Sequence, residues 1–218
     1  MFIGHFGVGF GAKASAPKTS LGTLFLASML LDLLWPSLLL VGAERVRIAP
    51  GITKVTPLDF EYYPISHSLL AVIGWAVLMG LSYQAIKRYP RGSIVLGVLV
   101  VSHWVLDLIV HRPDLQLAPG SNVRVGFDLW ASLPGTLVVE LGIFAVGVVI
   151  YLRQTVAKDT AGKWGMWALI VFLVGIYLSN LFGPPPPNVT SLAWVGQSQW
   201  LLILWGYWVD RHRFVRHR

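Results

Sequence analysis

The sequence contains no cysteine, and charged residues make up only 12% of its 218 positions. Without cysteine there is neither a disulfide nor a thiolate metal site, so a bound metal would have to be held by His, Asp or Glu. The chain is 55% hydrophobic and has a mean hydropathy of +0.65, which excludes an ordinary soluble domain. The composition therefore predicts an integral membrane protein.

Apolar stretches of about 20 residues, separated by short charged clusters, predict membrane-spanning helices. A β-barrel would instead show alternating segments of about ten residues. We predict an all-α bundle with six spans, forming one integral membrane domain over residues 1–218, with a kink at Pro36. The predicted spans cover about residues 20–42, 64–86, 93–111, 134–152, 164–182 and 192–209.

Three segments lie outside these spans. Residues 1–12 are apolar but too short to cross a membrane, so they form either a surface segment or a half-helix that enters the bundle. Residues 112–133 form a long outer loop placed to cap a cavity, with Trp130 as the candidate cap. Residues 210–218 form a basic tail, and the histidines at 212 and 217 within it are not site candidates.

Lysine and arginine are distributed unequally between alternate loops. The side that carries both termini has twelve of them, and the opposite side has five. By the positive-inside rule both termini are therefore cytoplasmic. Topology also explains the formal charge of +7, so nucleic acid is not a predicted partner, whereas membrane lipid is.

Ionisable residues interrupt the third predicted span at a regular spacing. His103, Asp107 and His111 stand four residues apart, so a helix places them on one stripe. An imidazole and a carboxylate are costly inside a membrane unless they pair, face water or hold a metal. At about 1.5 Å per residue, Asp32, His103 and Asp107 all lie near the membrane midplane or just beyond it. This stripe is therefore the predicted functional site.

Other polar residues lie nearby. His67 and Glu140 lie a few residues inside the outer ends of the second and fourth spans, and His5 approaches Asp32 and His103 if residues 1–12 form a half-helix. Asp107 or Glu140, where it is not a ligand, is the predicted general base. A divalent metal, with zinc as the first choice, is predicted to bind among His5, Asp32, His67, His103 and Asp107.

Each of these residues also has a purely structural interpretation. His103 and Asp107 could form a hydrogen-bonded pair on one helix, and Glu140 could pair with Arg124. His111, at the outer end of its span, is more typical of an interfacial residue than of a ligand. The metal interpretation is favoured because several ligand-type side chains fall in apolar spans at similar depth.

These residues also resemble the motifs of a known family. The chain has an N-terminal His5 in an apolar segment, Asp32 in the first hydrophobic stretch, Pro-x-x-His-Ser around His67, and Ser-His-x-x-x-Asp from Ser102 to Asp107. Over about residues 1–115 this resembles the bacterial inner-membrane family called membrane-bound metal-dependent hydrolases, also labelled LexA-binding inner-membrane hydrolases. The family often has a second carboxylate near the position of Asp32 and a second histidine before that of His67, and this chain has neither. The resemblance implies an inner-membrane protein whose polar centre is formed by His5, Asp32, His67, His103 and Asp107.

Three functions are compatible with this pattern. The first is a metal-dependent hydrolase embedded in the membrane, acting on a lipid or lipid-linked ester or phosphoester near the outer leaflet. The second is a transporter or permease whose His and Asp residues relay protons or bind a coupling ion. The third is a non-catalytic membrane scaffold whose basic tail touches anionic lipid. We favour the hydrolase, because the ligand-type residues converge in depth and no cysteine offers an alternative site.

Overall fold

The computed structural model describes residues 1–216, and the fold is mostly helical. Three short two-stranded antiparallel sheets accompany the helices in this part of the chain. The helices are α1 (Ile3–Gly11), α2 (Leu21–Ser28), α3 (Leu30–Leu40), α4 (Pro64–His67), α5 (Leu69–Lys87), α6 (Pro90–Val110), α7 (Leu133–Gln154), α8 (Thr160–Phe182), α9 (Val189–Gln197) and α10 (Gln199–Arg211). The strands are β1 (Arg45–Ile48), β2 (Leu58–Tyr62), β3 (Leu115–Gln116), β4 (Arg124–Val125), β5 (Thr155–Ala157) and β6 (Arg213–Val215).

Four helices are long and apolar enough to cross a membrane, namely α5, α6, α7 and α8. Helices α2 and α3 pass the same test together, as one span bent by 57°. The protein is therefore an apolar helical bundle of the membrane type, with four or five candidate spans among the described residues. Both the sixth span and the cytoplasmic placement of the termini stay predictions.

The predicted sixth span, residues 192–209, is divided between two helices. Helix α9 has 9 residues and α10 has 13, so each is shorter than the roughly 20 residues that a straight span needs. The division falls at Ser198, between Gln197 and Gln199. Ser198 keeps helical backbone angles, but its N–H donates to the oxygen of Val195 three residues back, so the α-helical hydrogen-bond pattern is interrupted there.

The first predicted span bends at Met29, between α2 and α3, and not at Pro36 as predicted. Pro36 lies inside α3, where the chain stays helical. A proline has no N–H to donate to the carbonyl four residues earlier, which here is that of Asp32. Gln199 Nε2 lies 3.5 Å from this carbonyl oxygen. A side chain from α10 thus lies next to the acceptor that Pro36 leaves free.

Residues 1–12 form a half-helix inside the bundle, which is one of the two predicted alternatives. His5, Phe6 and Phe10 of α1 are all 1% exposed or less. Helix α1 packs closely on α7, where a Cβ added at Gly147 would overlap the backbone oxygen of Gly7. Small residues of this kind let helix backbones approach each other, so α1 lies deep among the longer helices.

A buried ion pair holds the far end of this half-helix. Lys13 Nζ donates to Asp210 Oδ1 at 2.9 Å and to the backbone oxygen of Thr19 at 2.8 Å. The Tyr151 hydroxyl donates to the same Asp210 oxygen at 3.0 Å. The Lys13 side chain is only 3% exposed, so the pair is shielded from water. It connects the end of α1 to α7 and α10.

The three strand pairs lie at the two ends of the bundle. At the predicted outer end β1 pairs with β2, and β3 pairs with β4 within the predicted capping loop. At the opposite end β5 pairs with β6, so the predicted basic tail is ordered as far as Val215. Residues 217–218, which include His217, lie outside the described residues.

Replacing Lys13 with methionine is expected to destabilise the protein, because it leaves Asp210 without its buried partner. Removing one member of a buried pair typically costs about 3–5 kcal/mol. Thermal unfolding in detergent should show this loss, and the double variant Lys13→Met, Asp210→Asn should recover part of it. Equal stability of the single variant and the wild type would contradict the anchoring role.

Candidate metal centre

The five predicted ligands form two groups of three that share His103: Asp32, His67 and His103, and His5, His103 and Asp107, with the ligand atoms of each group within 4.8 Å of one another. His67 Nε2 lies 3.6 Å from Asp32 Oδ1 and 3.7 Å from Asp107 Oδ2. His103 Nε2 lies 3.7 Å from Asp32 Oδ1 and 3.1 Å from Asp107 Oδ2. Tetrahedral ligands about 2.0–2.1 Å from a zinc ion would be separated by roughly 3.3–3.4 Å. The four distances lie near this value, and either group of three could hold a metal ion.

Three separate elements supply these side chains. Helix α6 carries His103 and Asp107 one turn apart, so both face the same direction. The single turn of α4 ends at His67, just before the long helix α5 begins. Asp32 lies in the first turn of α3, immediately after the bend at Met29. The bend thus sets the direction of the helix that carries this carboxylate.

The backbone fixes which nitrogen of His103 carries a proton. His103 Nδ1 lies 2.7 Å from the backbone oxygen of Ser28. A carbonyl oxygen only accepts hydrogen bonds, so Nδ1 must be the donor. In the neutral ring this leaves an electron pair on Nε2, the nitrogen that faces Asp32 and Asp107. Nε2 is buried and makes no hydrogen bond within residues 1–216.

Glu44, acting through the Ser66 hydroxyl, determines which nitrogen of His67 carries a proton. Ser66 Oγ donates to Glu44 Oε2 at 2.6 Å and lies 2.7 Å from His67 Nδ1. Glu44 Oε1 also accepts the backbone N–H groups of Ile65 and Ser66, each at 2.8 Å. Since the Ser66 proton is directed to Glu44, Ser66 Oγ accepts from His67 Nδ1. The electron pair of His67 therefore also lies on Nε2.

Two imidazole nitrogens and two carboxylate oxygens thus direct electron pairs at one buried point. His103 and Asp107 are at most 2% exposed at their side chains, and His67 is 4% exposed. Acceptors gathered in this way repel one another in apolar surroundings unless a cation or added protons lie between them. A metal ion meets this requirement with the ligand types that are present.

His5, the fifth predicted ligand, belongs to the second group, with His103 and Asp107. Its ring stacks on that of His103, with centroids 3.6 Å apart and planes 8° apart. Its Nε2 is 3.1 Å from Asp107 Oδ1, and the amino group of Met1 is 2.7 Å from the same oxygen. Both oxygens of Asp107 are therefore engaged, which fits its predicted role as a ligand better than its predicted role as a free base.

Glu140, the other predicted base, is also buried close to the start of the chain. Its Oε2 accepts the backbone N–H of Phe2 at 3.0 Å, and its exposure is 2%. The alternative pairing with Arg124 is not formed, since the Arg124 side chain donates to the backbone oxygen of Glu61 instead. Glu140 therefore secures the chain ahead of α1, at the edge of the centre.

His111 lies at the end of α6 as predicted, but it is only 3% exposed. Its Nδ1 lies 2.9 Å from Asp114 Oδ1, which also accepts the Tyr63 hydroxyl at 2.7 Å. Burial and the Asp114 carboxylate raise the pKa of Tyr63 well above its usual range, so the phenol keeps its proton. Trp130, the predicted cap, packs on His111 with ring centroids 4.3 Å apart. The expected interfacial histidine is thus covered by the outer loop.

Asp32 is the most accessible of the four converging residues. Its side chain is 22% exposed, whereas those of His67, His103 and Asp107 are between 0% and 4% exposed. Water or a substrate can therefore approach the centre from the Asp32 side.

Sequence reasoning missed Glu44 and the backbone oxygen of Ser28. Glu44 is a single acidic residue just beyond an apolar stretch, 22 positions from Ser66, and no spacing connects the two. Ser28 takes part through a backbone atom, which every residue has. Ser66 was visible as a polar neighbour of His67, but only the structure shows its link to Glu44.

Ser66→Ala should weaken metal binding by about 10–100-fold, because it removes the group that orients His67. Competition with a chromogenic zinc chelator would measure the change. Ser102→Ala is the matched control, since Ser102 also precedes a ligand but its hydroxyl donates only to the backbone oxygen of Leu99. Equal affinities of the two variants would argue against the role of Ser66.

Comparisons with known proteins leave the chain without an assigned family. No family model, no curated protein and no solved structure matches it. The resemblance to the membrane-bound metal-dependent hydrolases therefore stays a prediction. What the chain does has to be argued from the centre formed by Asp32, His67, His103 and Asp107.

Proposed function

We propose that this protein is a metal-dependent hydrolase embedded in a membrane, acting on a lipid or lipid-linked ester or phosphoester near the outer leaflet. The observation that carries the proposal is the gathering of Asp32, His67 and His103, with Asp107 next to His67 and His103. Zinc is the proposed metal, since two imidazoles and one carboxylate would leave the fourth tetrahedral position open for water, as a catalytic zinc site requires. The motifs around these residues resemble those of the membrane-bound metal-dependent hydrolases.

A divalent cation in this centre would supply Lewis-acid polarisation of a carbonyl or phosphoryl oxygen. The protein's own contribution is to orient the ligands and to limit access by water. Ser28 and the Glu44–Ser66 pair hold the two imidazole rings in place. Asp32, with its partly exposed side chain, is the carboxylate next to which a substrate and an attacking water can lie.

The proposal includes a membrane arrangement. We propose six spans, the sixth being the broken pair α9 and α10, with the C-terminus and the residues that follow α1 on the cytoplasmic side. The twelve-to-five distribution of Lys and Arg supports this orientation. In this arrangement α1 runs from Met1, which contacts Asp107, to the cytoplasmic side, and the centre lies towards the outer leaflet. The resemblance to the hydrolase family supports a bacterial inner membrane.

Metal analysis of the purified protein tests the proposal. We expect about one equivalent of metal in the wild type and a large loss in His103→Ala, because His103 supplies one of the ligands. Expression and thermal unfolding of the variant should be followed in parallel, so that misfolding is not mistaken for loss of binding. Less than about a tenth of an equivalent in both proteins, even after incubation with zinc, would remove the idea.

An ion- or proton-coupled transporter is the second candidate. The observation that favours it is the number of interrupted helices near the centre: α1 ends within the bundle, α2 and α3 are bent by 57°, and α9 and α10 are divided at Ser198. Discontinuous helices of this kind form the ion and substrate sites of many transporters.

Reconstituted vesicles distinguish the two candidates. The hydrolase proposal predicts no coupled flux when a pH or sodium gradient is imposed, and the internal pH should follow that of empty vesicles. An Asp32→Asn variant is the control, because it removes the accessible carboxylate of the centre. A gradient-driven pH change that disappears in Asp32→Asn would favour the transporter.

A further inference from the structure

His5 lies among the ligand-type side chains, but the orientation of its ring sets it apart from them. It forms a group of three with His103 and Asp107, in which the ligand atoms all lie within 4.8 Å of one another. Distance alone therefore admits His5 as a ligand. An imidazole nitrogen, however, carries its electron pair in the plane of the ring, so a bound ion has to lie near that plane as well as near the nitrogen.

The rings of His5 and His103 cannot both direct an electron pair at one ion. They stack face to face, with centroids 3.6 Å apart and planes only 8° apart. An ion in the plane of one ring therefore stays roughly 3 Å or more from the plane of the other, whereas a zinc–nitrogen bond is about 2.0–2.1 Å long. An ion between the two rings would lie far out of both planes. The stack thus excludes a site that uses both imidazoles.

The rings of His67 and His103 are arranged differently. Their centroids are 5.5 Å apart and their planes are inclined by 65°, so electron pairs in the two planes can meet at one point. The Nε2 atoms of the two rings lie 3.6 Å and 3.7 Å from Asp32 Oδ1. Of the two groups of three that share His103, the ring planes therefore favour Asp32, His67 and His103 as the ligands.

His5 donates a hydrogen bond where the other two imidazoles offer an electron pair. Its Nε2 lies 3.1 Å from Asp107 Oδ1, and a carboxylate oxygen accepts, so Nε2 carries the proton. On His67 and His103 the proton is on Nδ1 and the electron pair is on Nε2. His5 Nδ1 is buried and makes no hydrogen bond within residues 1–216. Asp107 is therefore the polar partner that orients the His5 ring.

The two contacts of His5 act on two members of the centre. Asp107 Oδ1 accepts from His5 Nε2 and from the amino group of Met1, which lies 2.7 Å away. With Oδ1 held by these donors, Oδ2 lies 3.1 Å from His103 Nε2 and 3.7 Å from His67 Nε2. The His5 ring also covers one face of the His103 ring and limits its rotation. His5 thus restrains a carboxylate and an imidazole at once.

We propose that His5 is a positioning residue of the metal centre and not one of its ligands. Its Nε2–H holds Asp107, and its ring holds His103, while Asp32, His67 and His103 bind the ion. Contacts of this kind behind the ligands commonly change metal affinity by about 10–100-fold. The inference rests on the proposed function, and it removes His5 from the predicted set of ligands.

Two substitutions at His5 distinguish a positioning residue from a ligand. His5→Gln keeps a donor, since the glutamine amide nitrogen can take the place of Nε2, but an amide is not a usual zinc ligand. His5→Phe keeps a ring against His103 and has no donor. We expect His5→Phe to weaken zinc binding about 10–100-fold and His5→Gln to stay within about threefold of the wild type. Competition with a chromogenic chelator measures both affinities.

His111→Phe is the matched control. His111 is also buried, packs on an aromatic ring and contacts a carboxylate, that of Asp114, at 2.9 Å, but it lies outside the centre. Its replacement should leave zinc affinity unchanged, and thermal unfolding of every variant is followed in parallel. Equal losses in His5→Gln and His5→Phe would identify His5 as a ligand and overturn the inference. Wild-type affinity in His5→Phe would overturn it as well.

Nitrogen NMR of the protein with isotope-labelled histidine reads the role of each ring directly. The His5 signals are assigned by their absence in His5→Gln. We expect His5 Nε2 to carry a proton both without zinc and with it, whereas the Nε2 signals of His67 and His103 should shift when zinc is added. Loss of the His5 Nε2 proton on addition of zinc would contradict the positioning role.

These measurements separate the role of His5 from the proposed function. Zinc bound with the expected order of affinities, but without hydrolysis of a lipid, would defeat the proposed function and leave the role of His5 standing. Absence of zinc binding in the wild type would also defeat the proposed function, and the proton on His5 Nε2 would still decide whether this ring is a donor to Asp107. Hydrolysis together with equal losses in the two His5 variants would defeat the positioning role alone.

Discussion

The mutual repulsion of four electron pairs is the constraint on which the rest of this structure depends. Asp32, His67, His103 and Asp107 meet in surroundings that exclude most water, so the group is tolerable only with positive charge among its members. On one side the amino group of Met1 and the Nε2 atom of His5 both contact Asp107 Oδ1. The Nε2 atoms of His67 and His103 face the carboxylates on the other side.

The irregular parts of the fold serve this centre. Met29 interrupts the first span, and the backbone oxygen of Ser28 at this break accepts from His103. Glu44, in the loop after α3, accepts the backbone N–H of Ser66 in the single turn of α4. Ser66 in turn contacts the adjacent His67. A straight helix has few backbone oxygens to spare, so the bend and the short turn are where the chain can support its ligands from outside.

The sequence was most informative where one helix decides the geometry. His103 and Asp107 share a stripe because they are four residues apart on α6, and this could be predicted from periodicity. Asp32 and His67 could be picked out because ionisable residues are rare in apolar spans. The supporting contacts were hidden, because Ser28 and His103 are 75 residues apart and meet only in the folded bundle. The division at Ser198 was not predicted, since glutamine and serine are compatible with a helix.

Helix α1 joins the two ends of this arrangement. Lys13 is fixed to Asp210 at one end, and His5 is stacked on His103 at the other. The eight residue steps from His5 to Lys13 cover about 12 Å, a distance over which a packed helix acts as a stiff rod. Any shift of α10 at Asp210 would therefore be carried along this rod to the imidazole that touches Asp107. The protein thus has a mechanical connection between its last helix and the group of ligand-type residues.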